Sequence, residues 1–273
     1  IHDWEFAFLG QSSECVRSNV AQGEFGNWEE TGFHLNLALN IGAYEGQGYG
    51  EAVGTMILND GLQIPAEKEL EATVRAHLKD NAERAASAAE CLEVVRKFHL
   101  PPGFRPVPHR WKQYSVQAAA GRLRLPCTGH PMIGHDIIYN HPMNHGALLG
   151  RAALRDFLTY AESVSRIEGG VYISLGSAVM SPMIFEKSFS LGQNLARQQH
   201  RRIAGHYLLV VDLLESQWDW SQGEPPESSP EYYQRFNKTF SRVGGTLRYL
   251  ACDNRGFLLH LYRGLQRSVR PSP

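Results

Sequence analysis

The chain has 273 residues, with 27 Lys plus Arg against 28 Asp plus Glu. Because positive and negative charges nearly balance, the chain has no long-range electrostatic field that would attract nucleic acid or an anionic membrane. A small-molecule or protein partner is therefore expected. Four scattered cysteines form no paired motif, which argues against a zinc ribbon or a disulfide framework and favours a reducing cytoplasm. No uninterrupted apolar stretch reaches the roughly 18 residues of a membrane span, so no membrane partner is expected.

The first half of the chain predicts mostly helices. Residues 4–9 are largely apolar and suit either a strand or the first turns of a helix. Apolar residues recur at helical spacing over 33–44, and the glycines of 46–50 predict a loop after that helix. Residues 66–99 predict an amphipathic helix. Residues 101–150 are rich in Pro, Gly and His and predict a long, loop-rich insertion near the site, with short strands.

The second half alternates strands with helices. Apolar, β-branched and aromatic runs predict strands at 171–176, 207–213 and 246–251, and helical patterns predict helices over 154–164, 182–199 and 256–265. Fully apolar strands alternating with helices predict an α/β fold, with a mostly parallel sheet and helices on both faces. A single domain over 1–273 is therefore expected.

The turn after the first of these strands is a candidate phosphate site. Small residues at Gly176, Ser177 and Ala178 would let a pyrophosphate approach the backbone, at the start of the following helix. A tight strand-to-helix turn without a ligand has the same pattern, since the full GxGxxG motif is absent. Asp212 and Asp253 follow the next two strands, where a carboxylate binds ribose hydroxyls or caps a helix.

Residues 130–145 contain four histidines, His130, His135, His141 and His145. Neutral imidazoles with a nearby carboxylate suit zinc or iron, and this density leaves open a metal-assisted hydrolase. The spacing matches no standard metal template, however, and loop histidines also bind substrate or neighbouring backbone. No metal site is therefore assigned.

An acidic and aromatic segment precedes a candidate nucleophile. Carboxylates interleaved with aromatic rings suit a cationic amine such as a polyamine, and an exposed acidic loop is the alternative. The candidate amine contacts are Asp219, Trp220, Glu224, Glu231 and Tyr232. Lys238 follows and is flanked by apolar residues. Burial among them could lower its pKa toward neutrality, which a Schiff-base nucleophile requires. A solvated lysine is the alternative.

Together these segments resemble the deoxyhypusine synthase family. Ile1-His2-Asp3 is similar to the point after that family's Ala-Gly-Gly turn, and Asn144-His145-Gly146 to its Thr-Asp-Gly. Leu175-Gly176-Ser177-Ala178-Val179 resembles its Leu-Gly-Gly-Gly-Val. The stretch 230–239 is similar to its Pro-Asp-Glu and Trp-Gly-Lys, and Cys252-Asp253 to its Ala-Asp pair.

The resemblance implies a Rossmann-like fold that binds NAD, a homotetramer, and transfer of an aminobutyl group from spermidine through a lysine imine. It implies Lys238 and His145 as catalytic positions, Asp3 as a cofactor contact and Phe236 as a substrate contact. The family's histidine base is replaced by Pro182, so a non-catalytic NAD-binding relative is a further reading. The family's upstream third has no counterpart, so a further upstream segment or chain is expected.

Overall fold

The computed structural model describes residues 1–12, 15–25 and 29–269, except the side chains of Arg235, Phe236 and Val269. The chain divides into two compact units, Ile1–Thr159 and Tyr160–Pro273, where the sequence predicted one domain. The physical reason is that the buried apolar side chains form two separate clusters, one in each unit.

The first unit is mainly helical. It contains α1 (His2–Leu9), α2 (Val16–Gln22), α3 (Glu29–Glu45), α4 (Tyr49–Asn59), β1 (Gly61–Ile64), α5 (Glu67–His77), α6 (Ala82–Lys97), β2 (Gly103–Pro106), α7 (Val116–Leu123) and most of α8 (Gly146–Ser165). Strands β1 and β2 pair antiparallel. The core of this unit is formed around side chains such as Trp4, Leu35 and Ile57, which are fully buried.

Several predictions for this unit need correction. Of the two alternatives for residues 4–9, the helix is observed. The predicted helix over 66–99 is two helices, and the second begins after Asn81, whose side chain accepts a hydrogen bond from the Arg84 backbone N–H at 3.0 Å. Gly50 lies in α4 and not in a loop. The segment 101–150 contains α7 and two short 3-10 turns in addition to β2.

The second unit is an alternating β and α structure, as predicted. It contains β3 (Val171–Leu175), α9 (Met180–Gln198), β4 (Tyr207–Asp212), α10 (Arg235–Ser241), β5 (Thr246–Ala251) and α11 (Asn254–Val269). The strands form a parallel sheet in the order β3-β4-β5, with Leu175 opposite Val211 and Val211 opposite Leu250. The parallel sheet is thus confirmed, although it has only three strands.

The predicted cover of helices on both faces is only partly observed in this small sheet. One face is packed against helices. The centre of the Tyr172 ring lies 4.4 Å from the ring centre of Phe185 on α9 and 5.8 Å from that of Phe240 on α10. The other face leaves Val171 63% and Leu250 42% exposed. Strands in sequential order joined by right-handed crossovers place their connections on one side, which accounts for the difference.

Within the described parts of the chain, no helix combines the length and apolar character that crossing a bilayer requires.

Candidate functional site

The carboxyl ends of the three parallel strands meet at one edge of the sheet. Gly176, which follows β3, donates its backbone N–H to the carbonyl of Val211 on β4 at 3.0 Å. Asp212 ends β4, and its carbonyl accepts the N–H of Cys252 after β5 at 2.9 Å. Parallel pairing therefore brings three separate predictions, Gly176, Asp212 and Asp253, to the same edge, where open α/β sheets bind ligands.

The turn after β3 requires glycine at its first position. Gly176 has a φ of 63°, and a Cβ atom there would lie 2.4 Å from the side-chain nitrogen of Asn254. Ser177 accepts the backbone N–H of Ser181 with its hydroxyl at 3.0 Å, which ties the turn to the first turn of α9. Ala178 is exposed. The turn thus leaves backbone without bulky side chains beside the start of a helix.

A chain of hydroxyl groups supports this turn and was not predicted. Tyr160 donates to the hydroxyl of Tyr172 at 3.0 Å, and Tyr172 lies 2.7 Å from the hydroxyl of Ser181. Ser174 lies 2.8 Å from Ser181 in turn. Burial first, and then the neighbouring Tyr172, raises the pKa of Tyr160, so this hydroxyl stays protonated at neutral pH. Its members lie on α8, β3 and α9 within residues 160–181, and packing of these three elements brings the four hydroxyl groups together.

The two aspartates at the edge have different partners. Asp253 begins α11: its carboxylate accepts the N–H of Gly256 at 3.0 Å and lies 3.4 Å from the Arg255 guanidinium. These contacts, the Gly256 amide first, lower the pKa of Asp253. One oxygen of Asp212 accepts the N–H of Leu214 at 3.1 Å. Asp253 therefore has the helix-capping role that the sequence left as its alternative.

Lys238 lies in an ion-pair cluster on α10. Its ammonium is 2.9 Å from a carboxylate oxygen of Glu224 and 3.2 Å from the centre of the Tyr232 ring, and its side chain is 15% exposed. Arg242 donates two hydrogen bonds to the same carboxylate, at 2.8 and 2.9 Å. Hydrogen bonds first from Arg242 and then from Lys238 lower the pKa of Glu224 to about 2.

The expectation that Lys238 is deprotonated near neutral pH is wrong. Burial of the ammonium acts to lower its pKa, but the contacts with Tyr232 and Glu224 outweigh it, and the pKa of Lys238 lies above its usual value. The lysine is neither solvated nor activated. Among the described residues its polar contacts stay within this cluster and do not reach Gly176, Asp212 or Asp253.

The other carboxylates of the acidic segment are occupied by contacts within it. Asp219 accepts the N–H of Ser221 at 3.0 Å and begins a 3-10 turn. Glu231 accepts the backbone N–H of Gln217 at 3.0 Å. Trp220 is buried at 2% exposure. The side chain of Phe236 lies outside the described residues. The carboxylates of Asp219 and Glu231 are therefore used within the segment, whereas Glu224 and the Tyr232 ring bind the ammonium of Lys238.

Two predicted site residues lie in the first unit. The Asp3 carboxylate accepts the hydroxyl of Ser115, the N-cap of α7, at 2.7 Å and the N–H of Val116 at 2.8 Å, so it binds the start of this helix. These hydrogen bonds account for the position of the Asp3 carboxylate without a cofactor. His145 lies before α8, with its Nε2 atom 3.6 Å from a carboxylate oxygen of Glu93. Both residues are held by neighbours within the first unit.

The histidine-rich segment forms internal contacts. His130 lies 2.9 Å from the hydroxyl of Thr128, and His141 lies 3.1 Å from a carboxylate oxygen of Glu29. Over residues 1–12, 15–25 and 29–269, no group of three or more His, Cys, Asp or Glu side chains could hold a metal ion. The hydrolase alternative therefore has no geometric support among these residues.

A cavity of about 740 Å³ in the first unit was also missed by sequence reasoning. Asp156 of α8 lies in its wall, 3% exposed, and accepts the backbone N–H groups of Gly50 at 2.8 Å and Gly129 at 2.6 Å. A Cβ atom on Gly48 would lie 1.7 Å from this carboxylate. The glycines that predicted a loop thus permit close packing around a buried carboxylate. Burial raises the pKa of Asp156.

No protein-family model matches the chain, and neither a characterised protein nor a solved structure matches it significantly.

Proposed function

We propose that the chain is an NAD-binding transferase of the deoxyhypusine synthase type, acting on a polyamine or related amine. The proposal rests on one observation. The Gly176 turn and Asp212 lie next to each other at the carboxyl edge of a parallel sheet. This combination suits a dinucleotide, since backbone amides at a helix start favour a pyrophosphate and a carboxylate favours ribose hydroxyls.

The residues at the edge fit the proposed cofactor. The backbone of Gly176, Ser177 and Ala178 would face the pyrophosphate, because these three residues have small side chains or none and the first and third are exposed. Asp212 would bind a ribose. When bound, NAD would supply an acceptor for the hydride that leaves the amine substrate.

The ion-pair cluster supplies a means of activating Lys238. A cationic substrate could be held by the Glu224 carboxylate and the face of Tyr232, which are the groups that now hold the lysine. A second ammonium at this position would compete for Glu224 and repel the first. Both effects would lower the pKa of Lys238, so the free amine would form when substrate is present. The lysine could then add to the oxidised carbon of the substrate and release the amine product.

The proposal is tested in two steps with the full chain. Calorimetric titration first measures NAD binding. Protein with NAD and spermidine is then treated with borohydride, and the adduct is located by peptide mass spectrometry. An adduct on Lys238 is expected in the unsubstituted protein and in Lys187→Ala, a control that removes an exposed lysine of α9 paired with Glu186. Lys238→Ala is expected to form none.

The two steps distinguish a transferase from a non-catalytic NAD-binding protein. If NAD does not bind, the cofactor proposal is wrong. If NAD binds but no amine yields an adduct on Lys238, the transferase chemistry is wrong and a non-catalytic NAD-binding relative is favoured. The ion-paired state of Lys238 is the observation that supports this second candidate, because a lysine held as ammonium by Glu224 is not a nucleophile.

A further inference from the structure

The cavity of about 740 Å³ in the first unit has the size of a pocket for a small ligand. Its wall is formed by residues of α4, by the end of α7 with the segment that follows it, and by α8. Leu58, Leu125 and Leu158 contribute apolar side chains, and the last two are 59% and 52% exposed. A ligand that covers these leucines removes apolar surface from water, so the cavity favours a ligand with an apolar part.

Four charged side chains line the cavity, and two of them are already bound within the protein. The Asp156 carboxylate accepts two backbone N–H groups. The Arg155 guanidinium donates to the carbonyls of Ala43 at 3.0 Å and Gln47 at 3.4 Å, and it lies 3.6 Å from a carboxylate oxygen of Glu83. These contacts account for both side chains without a ligand.

The other two charged side chains, Glu51 and Arg124, have no such partner. Glu51 lies in the first turn of α4, and Arg124 directly follows the last residue of α7. Both are exposed, and neither side chain forms a hydrogen bond or an ion pair with any described residue, so the two do not contact each other. A carboxylate and a guanidinium that stay apart in one cavity are complementary to a ligand with both an ammonium and a carboxylate group.

The remaining polar lining suits peptide groups. The side chain of Asn59 lines the cavity, and its amide has no hydrogen bond to a described residue. The amide of Gln117 donates a long hydrogen bond, of 3.4 Å, to the carbonyl of Gly50. An amide side chain both donates and accepts, as a peptide group does. The two charges of a single amino acid lie on one carbon, whereas each further residue separates them by up to about 3.3–3.6 Å, so a short peptide can reach two charged groups that do not touch.

We infer that this cavity binds a short apolar peptide with free termini, whose ammonium pairs with Glu51 and whose carboxylate pairs with Arg124. The leucines of the wall contact its side chains, and the two amide side chains bind its peptide groups. The inference does not rest on the proposed function, because the whole cavity lies in the first unit and the proposed NAD site lies in the second.

The test is calorimetric titration of the full chain with trileucine. The unsubstituted protein is expected to bind trileucine, and to bind N-acetyl-trileucine and trileucine amide about tenfold more weakly, because each blocked terminus loses a charge-assisted hydrogen bond. Leucine itself is expected to bind at least about tenfold more weakly than trileucine, since it cannot reach both charged groups.

Two variants assign each terminus to its partner. Glu51→Gln is expected to bind trileucine and its N-acetyl form with similar affinity while still discriminating against the amide. Arg124→Gln is expected to show the opposite pattern. Glu24→Gln and Arg122→Gln, which change exposed side chains outside the cavity wall, are the matched controls and are expected to keep both preferences. Circular dichroism verifies that each variant is folded.

Several results would overturn the inference. Trileucine that does not bind, or blocked peptides that bind as tightly as the free one, would remove the peptide site without the need for any variant. Leucine that binds as tightly as trileucine would show that the ligand does not span the cavity. Unchanged preferences in folded Glu51→Gln and Arg124→Gln would place the binding elsewhere. None of these results depends on whether NAD binds to the second unit.

Discussion

Acidification is expected to destabilise the first unit through His109, a buried histidine between aromatic rings. Its side chain is completely buried, and its ring centre lies 6.1 Å from that of Trp4 and 5.9 Å from that of Phe8. Neither ring nitrogen has a hydrogen-bond partner among the described residues. Burial lowers the pKa of His109 to about 4, although Asp60 acts in the opposite direction.

The sign and size of the effect follow from this shift. The folded protein holds His109 neutral, whereas the unfolded chain takes up its proton near the ordinary pKa of 6.5. The contribution to stability is therefore complete above pH 6.5 and is lost as the pH falls from 6.5 to about 4. The gap between these two pKa values corresponds to about 3 kcal/mol of unfolding free energy.

The measurement is urea unfolding at intervals between pH 7 and pH 4, in the unsubstituted protein and in His109→Phe. The phenylalanine keeps an aromatic ring but cannot titrate, so this variant is expected to lose about 3 kcal/mol less over that range. Replacing the exposed His135 by Gln is the matched control and is expected to leave the pH dependence unchanged. Equal pH dependence in His109→Phe and the unsubstituted protein would refute the argument.

Three further perturbations test the local contacts. Glu224→Gln removes the carboxylate that raises the pKa of Lys238, so the lysine is expected to react faster with an amine-modifying reagent at pH 7.5, followed by peptide mass spectrometry; an unchanged rate would contradict the ion-pair argument. Gly48→Ala is expected to cost about 1–3 kcal/mol in urea unfolding, because its Cβ would overlap a buried carboxylate of α8, whereas Gly146→Ala, with no atom within 4 Å, is expected to be nearly neutral. Asp3→Ala is expected to cost about 1–2 kcal/mol in urea unfolding, because it removes the acceptor of the first backbone amides of α7, while NAD affinity stays unchanged. A selective loss of NAD affinity would instead support the predicted cofactor contact.

Local patterns were sufficient to predict most elements of the second unit. The strands at 171–175, 207–212 and 246–251 begin where predicted, because an apolar β-branched run between turn residues is a signal within a few residues. The helix over 182–199 was likewise predicted, with its start two residues late. The first unit was less predictable, because Gly46, Gly48 and Gly50 have the same sequence pattern in a loop and at a tightly packed helix start.

The sequence by itself determined the three strands of the second unit and their parallel arrangement, and parallel pairing places Gly176, Asp212 and Asp253 at one edge. Only the tertiary structure decided what the charged groups do. The Asp3 carboxylate binds the first amide of a helix more than 100 residues away in sequence, and Lys238 is held as an ammonium by Glu224. Protonation and capping depend on distance, burial and the charge of neighbours, and these are set by contacts between distant parts of the chain that local patterns do not contain.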